Sequence, residues 1–151
     1  MSPPSRDQLL KTANLFLEAF NEFTPESVVR HRSPACLHRL LPDTLRSPPQ
    51  TNADHASFIG ALRPIMPVFK LQIVEGTEPI VDDVSRKVVL HLKSHSSTVV
   101  GLYENEYVWT LTLSQDGTSV DDVAEFADSL YTTEWLPKLK KAAEEAAAKK
   151  Q

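Results

Sequence analysis

The chain has 151 residues, of which 41% are hydrophobic and 24% charged; this is the balance of an ordinary globular protein and excludes a disordered or fibrous one. A chain of this length buries roughly 70% of its unfolded surface in one core, so one domain spanning 1–151 is expected. The net charge of -4 offers no basic patch for phosphates, and nucleic acid is not an expected partner.

Leu9, Ala13, Phe16, Leu17 and Phe20 recur at three- and four-residue spacings between Lys11, Asn14, Glu18 and Asn21, which predicts an amphipathic first helix over residues 6–22. Thr24 as a cap and Pro25 at a first helical position predict a short second helix through Val28 and Val29 toward His31, ended by Pro34. Residues 36–41 read as a short strand, and the three prolines of 42–50 read as a loop. Asn52 is expected to cap a third helix with the apolar face Phe58, Ile59, Leu62, Ile65 and Met66, kinked or ended by Pro64.

From Phe69 the period changes to two. Phe69, Leu71 and Ile73, then Val88, Leu90 and Leu92, then Tyr107, Trp109, Leu111 and Leu113 alternate with polar residues and predict strands. Gln115, Asp116 and Gly117 supply a hairpin turn. A last strand over 119–127 leads to a closing helix from about Thr133 that turns Trp135, Leu136 and Leu139 inward. Its alanine-rich tail offers almost no large apolar side chain, so residues 142–151, like 1–6, are expected to be flexible ends. Helices followed by a long meander predict an α+β domain, a curved antiparallel sheet packed on N-terminal helices.

Cys36 is the single cysteine and can form neither an intrachain disulfide nor a cysteine-based zinc site. The N-terminal segment has no apolar signal core, and no stretch approaches the about 18 apolar residues that span a bilayer. No membrane association and a cytoplasmic location are expected.

The stretches YENEYVWTLTLSQDG and EFADS, with HRLLP, TNADH and GLYENEY in that order, resemble the SnoaL-like branch of the nuclear transport factor 2-like superfamily. The likeness runs from Leu9 to about Leu139. More narrowly it is to small fungal isomerases, cyclases and dehydratases of polyketide and meroterpenoid pathways. The resemblance implies a cone-shaped α+β barrel, a pocket for an apolar small molecule between helices and sheet, a homodimer formed through the sheet, and acid/base chemistry without metal or organic cofactor. The superfamily also holds binding modules that catalyse nothing, and a fold does not carry a reaction with it.

His55 stands three, four and seven residues before Phe58, Ile59 and Leu62, which aims it along the apolar face of its helix. Burial and the helix N-terminus both favour the neutral ring. It is a candidate base or ligand contact, or else a core histidine tied to a backbone carbonyl. Glu125 alternates with Val123 and Ala127, a carboxylate on a small apolar face, which is costly unless used or paired. VAEFAD resembles the strand of limonene epoxide hydrolase in which a catalytic carboxylate precedes an aromatic residue, and the matching position is Glu125. Its alternative role is a salt bridge to Arg39 or Lys93. Asp128, included in the same motif, is a third catalytic candidate, although aspartate there commonly serves as a cap.

Tyr103, Tyr107 and Trp109, with Asn105, form an aromatic strand suited to a pocket wall. Glu106 points the other way if the pleat is regular, and a bulge between Val100 and Glu104 would reverse that. His38, Arg39 and His91 are substrate-contact candidates on strands that supply polar pocket residues in the hydrolase, and solvated strand positions are the more ordinary reading of His38 and His91. The chain has neither that enzyme's arginine and aspartate pair nor its tyrosine and asparagine pair, so epoxide hydrolysis of that type is not expected. No phosphate loop, nucleophile elbow or paired-histidine zinc helix is present in the sequence. The leading expectation is proton removal beside a carbonyl by His55 and proton donation by Glu125, with Tyr107 holding the oxygen. The rival is a binding module whose polar atoms are satisfied by neighbours.

Overall fold

A computed structural model describes residues 2–150. Helix α1 (Arg6–Glu22) opens on the Ser5 side chain, which accepts from Gln8 N, and ends at Phe23 in the left-handed region with φ 53°. Its buried face is the predicted one, with Leu9, Ala13, Phe16, Leu17 and Phe20 all in the core. Asn21 ties this helix to the sheet by donating to Leu71 O at 3.0 Å and accepting from Leu71 N at 2.8 Å.

The expected second helix is only a 3-10 turn, Ser27–Val29. Thr24 and Ser27 cap each other side chain to backbone in both directions, which closes one tight turn and leaves no run of free donors to propagate. Strand β1 (Arg32–Leu41) then starts four residues earlier than the sequence suggested and carries Pro34 within it. Proline is tolerated there because β1 is an edge strand, with its register broken between Arg32 and Leu37.

Helix α2 (Asn52–Leu62) is capped by Thr51 rather than Asn52: Thr51 accepts from Asp54 N while the Asp54 carboxylate accepts from Thr51 N. Asn52 instead donates to Ser33 O at 2.9 Å, joining the helix start to β1. Pro64 ends the regular helix in a 3-10 turn, Arg63–Ile65.

The remaining strands are β2 (Val68–Ile73), β3 (Ile80–Asp82), β4 (Lys87–Thr98), β5 (Gly101–Tyr103), β6 (Glu106–Leu113) and β7 (Val120–Ala127). Strands β3 and β5, each three residues long, are too short to show a period of two and were not expected. The sheet order is β1-β7-β6-β4-β2, with β3 and β5 attached to β4. The expectation of an antiparallel sheet needs one correction, because β1 and β7 pair in parallel and the sheet is mixed. Chain reversals between neighbours make the other pairs antiparallel, whereas the first strand reaches the last only after the whole helix and meander have intervened. The sheet curls, and its concave face holds Val88, Leu90, Leu92, Tyr107, Trp109, Leu111 and Val123 against the helices.

Gly117 sits at φ 73° in the β6–β7 turn, and a Cβ there would lie 2.7 Å from Pro4 Cβ, so both torsion and space call for glycine. Helix α3 (Ser129–Ala148) starts at Ser129, not near Thr133, because Asp128 caps it by accepting from Tyr131 N at 3.1 Å. The tail past residue 141 remains helical to Ala148; its alanines are small enough to pack closely, with Ala142 buried and Ala143 and Ala146 against the core. Among the described residues no helix is long and apolar enough to cross a membrane.

Candidate active site

The helices and the concave sheet face enclose a cavity of about 260 Å³, near the small end of ligand pockets, which run from about 300 to 1,000 Å³. Its walls are mainly apolar and aromatic, among them Phe20, Phe58, Met66, Phe69 and Trp109. The polar groups include His38 on β1, Gln50 and His55 at the start of α2, Tyr103, Asn105 and Tyr107 near β6, Glu125 on β7, and Thr132 and Lys140 on the closing helix.

Glu125 reaches the cavity through strand register. It lies opposite Leu40 on β1 and Trp109 on β6, so its side chain emerges on the concave face. One register step before Leu40 on the same face stands His38, whose Nε2 is 2.7 Å from Glu125 Oε1. The partner of Glu125 is therefore His38 and not Arg39 or Lys93, the two expected from sequence. Arg39 points to the outer face and pairs with Asp122 at 2.7 Å, and Lys93 approaches Glu106 there at 3.8 Å.

Behind His38 lies a residue the sequence reading did not single out. Arg32 is buried, donates to Val28 O at 2.8 Å and to His38 Nδ1 at 3.1 Å, and stacks its guanidinium over Phe16 at 5.1 Å. Because arginine only donates, His38 Nδ1 is the acceptor, the ring proton sits on Nε2, and that N–H is given to Glu125. Burial, with Arg32 adding to it, holds His38 neutral by lowering its pKa well below the usual value. Burial raises the Glu125 carboxyl to about 8, and the attraction of Arg32 only partly opposes this. Near neutral pH Glu125 is thus a carboxylic acid. Its Oε1 is occupied by the His38 N–H, so its proton belongs on the other oxygen; the side chain keeps 17% of its surface open.

His55 is in the cavity wall as its helical spacing implied, but it does not meet Glu125. His38 stands between them, its ring stacked on that of His55 at 4.3 Å and 12°. His55 is tied to the Gln50 side chain, Nδ1 to Oε1 at 2.9 Å, rather than to a backbone carbonyl. Its Nε2 is buried without a hydrogen-bond partner among the described residues. Desolvation first, then the neighbouring His38 and Arg32, depress its pKa far below the usual value.

A second polar cluster continues along the same sheet face, where Tyr107 stands two residues from Trp109, the register partner of Glu125. Tyr107 and Asn105 Nδ2 both donate to the Tyr103 hydroxyl, at 3.3 and 3.0 Å, and Asn105 Nδ2 also donates to Thr132. Ser94 lies 3.0 Å from the Tyr107 hydroxyl. With two donors on its oxygen, Tyr103 has its own O–H uncommitted. Burial raises both phenol pKa values and keeps them protonated. The indole Nε1–H of Trp109 is also buried, with no hydrogen-bond partner among the described residues.

The remaining candidates lie outside the cavity. Asp128 is the α3 cap. His91 and Glu106 pair with each other at 2.6 Å on the outer face, because Glu106 precedes the inward Tyr107 and faces Lys93 and His91 across β4. Arg39 lies on that outer face too. Among the described residues no group of three or more histidine, cysteine or acidic side chains could hold a metal ion.

No family model matches the chain. It is 39% identical over 137 residues to austinoid biosynthesis clusters protein H of Penicillium brasilianum, covering 90% of this chain and 93% of that protein. Austinoid biosynthesis cluster protein H of Aspergillus calidoustus is 35% identical over 138 residues, with 91% and 94% covered. Among solved structures, the BvnE pinacolase from Penicillium brevicompactum matches with TM-score 0.86 and 40% identity, covering 91% of this chain and 93% of that one. AusH from Aspergillus nidulans matches with TM-score 0.79 and 39% identity over 84% and 88%. A SnoaL-like protein from Shewanella denitrificans, at TM-score 0.69 and 11% identity, shares the fold.

Proposed function

Because the chain belongs to the SnoaL-like family of fungal proteins that includes austinoid biosynthesis clusters protein H, we propose that it is a cofactor-independent isomerase, cyclase or dehydratase of secondary metabolism. Its substrate is an apolar polyketide- or terpenoid-derived intermediate carrying a carbonyl or hydroxyl oxygen. The observation that carries this reading is the chain Arg32–His38–Glu125, ending on a protonated carboxyl in an otherwise apolar cavity. The description of a 40% identical structure as a pinacolase supports a rearrangement in which the skeleton is remade and nothing is oxidised or reduced.

Glu125 gives its proton to the substrate oxygen. The carboxylate left behind keeps the His38 N–H and the nearby charge of Arg32, which replace the water that the cavity excludes. Where the oxygen is a carbonyl, protonation lets a proton leave the neighbouring carbon for the His55 lone pair, giving an enol that is reprotonated elsewhere. Where it is a hydroxyl, protonation lets water depart with the bonding pair; a neighbouring carbon then migrates with its own bonding pair and the adjacent hydroxyl yields its proton to the His55 lone pair as the new carbonyl forms, or a neighbouring C–H gives its proton to that lone pair and an alkene forms. The uncommitted O–H of Tyr103 steadies the same oxygen.

The test is incubation of the protein with a panel of terpenoid-polyketide ketones, hydroxyketones and vicinal diols, followed by chromatography with mass detection. Products of unchanged mass, or lighter by one water, are expected with wild type and are lost in Glu125→Gln. Saturable binding across the panel with no conversion would overturn the enzyme reading in favour of a binding module.

A further inference from the structure

Gln50 ends the proline-rich segment between β1 and α2 and touches both histidines with different atoms. Its backbone exchanges two hydrogen bonds with that of His38, each 2.9 Å. Its side-chain Oε1 lies 2.9 Å from His55 Nδ1. A carboxamide oxygen only accepts, so His55 holds its proton on Nδ1. The consequence falls on Nε2, which is left as a bare lone pair, buried and unpartnered. His38 has the opposite tautomer, since Arg32 donates to its Nδ1. The two stacked rings are therefore set independently, one by Arg32 and the other by Gln50.

We propose that Gln50 is a positioning residue which acts through His55, keeping that ring in the Nδ1–H tautomer and flat against His38. Without its oxygen nothing holds the proton on Nδ1. The proton moves to Nε2, the acceptor disappears, and the ring is free to turn off the face of His38 that supports the contact with Glu125. The same backbone bridge couples the segment at the cavity mouth, where Ser47 and Pro48 also line the wall, to the histidine pair. The inference rests on the acid/base reading for its effect on turnover, although the tautomer is measurable without any substrate.

Long-range proton–nitrogen correlation spectra of the full chain near neutral pH read both rings at once. Wild type should show His55 as Nδ1–H and His38 as Nε2–H. Gln50→Ala should turn His55 mainly to Nε2–H while His38 keeps its pattern, whereas unfolding would change both. Gln50→Glu, whose carboxylate also accepts, should restore Nδ1–H and guards against an alanine variant that fails to fold. With a converted substrate, Gln50→Ala should lower kcat about 10- to 100-fold, the usual weight of a partner that orients a working histidine, with KM within about threefold, and Gln50→Glu should recover most of it. An Nε2–H His55 in wild type, or no switch in Gln50→Ala, would overturn the proposal. So would an unchanged kcat in a variant whose His55 has switched; the role of Glu125 would survive that result, because it stands on Glu125→Gln alone.

Discussion

His38 Nε2 lies 2.7 Å from Glu125 Oε1, and the proton in that bond belongs to the histidine because Arg32 occupies Nδ1 on the other side of the ring. Two neutral groups thus share one hydrogen bond, and the acid proton of Glu125 is free for the cavity. A triad with the opposite sense, in which the carboxylate orients a basic histidine, would need Nε2 open toward the ligand. Here the histidine serves the carboxyl.

The first expected outcome concerns that acid. Glu125→Gln keeps an acceptor for the His38 N–H but has no proton to give, so kcat should fall by about 10² to 10⁴ with the fold intact. Arg32→Met removes the donor that sets the His38 tautomer and should lower kcat as well, about 10- to 100-fold. Steady-state kinetics with a converted substrate checks both. Near-normal turnover by Glu125→Gln would remove the proposed mechanism.

A second outcome separates the cavity from the outer face. Arg39→Ala, His91→Ala and Glu106→Gln alter exposed or half-exposed pairs and should leave turnover within about twofold, since such surface changes are worth about 0.5 kcal/mol or less. Asp128→Ala removes the α3 cap and should cost about 1 kcal/mol in urea unfolding. Loss of turnover in Asp128→Ala without loss of stability would return that residue to the site.

The alternation in β4 and β6 was legible because each strand buries one face, and period two then maps directly onto burial. In β1 the apolar pattern misleads: Leu37 faces outward, 39% exposed, while the polar His38 is buried. Arg32 was hidden by Pro34, which reads as a helix stop although an edge strand accommodates it. The parallel docking of β1 on β7, which brings His38 to Glu125 across 87 residues of chain, leaves no local period. Glu125 and His55, by contrast, were visible as polar residues on apolar faces of their own elements.

The outer sheet face bears on assembly. Leu37, Val108 and Phe126 are 39%, 42% and 52% exposed on strands β1, β6 and β7, while the helices cover only the concave side. An apolar strip of this kind is expected to pair with its copy in a homodimer. Light scattering at micromolar concentration should give twice the chain mass for wild type and a monomer for Phe126→Asp with Val108→Lys. A monomeric wild type would leave the strip without this role.

The last prediction uses pH to test the Glu125 proton without any substrate. Its carboxyl titrates at about 8 in the folded protein against a usual value of 4.5, so between those limits the folded chain keeps a proton that the unfolded chain releases. Glu125 therefore costs no stability below about pH 4.5; the cost grows as pH rises and is complete above about 8. At about 1.4 kcal/mol for each pH unit, the ceiling is roughly 5 kcal/mol. His38 and His55 pull the other way: their folded pKa values are depressed, so their neutral burial is free above the unfolded value near 6.5 and increasingly costly as pH falls below it. Below about pH 6.5 the two histidines outweigh the one carboxyl, and above it the carboxyl acts alone, so wild-type stability should peak near pH 6.5. Glu125→Gln removes the first slope alone, because an amide stays neutral and still accepts from His38. Urea unfolding of the pair should agree near pH 4 and diverge steadily as pH rises, the variant becoming the more stable by up to several kcal/mol above pH 8. A constant difference across that range would show that Glu125 ionises as an ordinary carboxylate, and a group already ionised at neutral pH has no proton to donate.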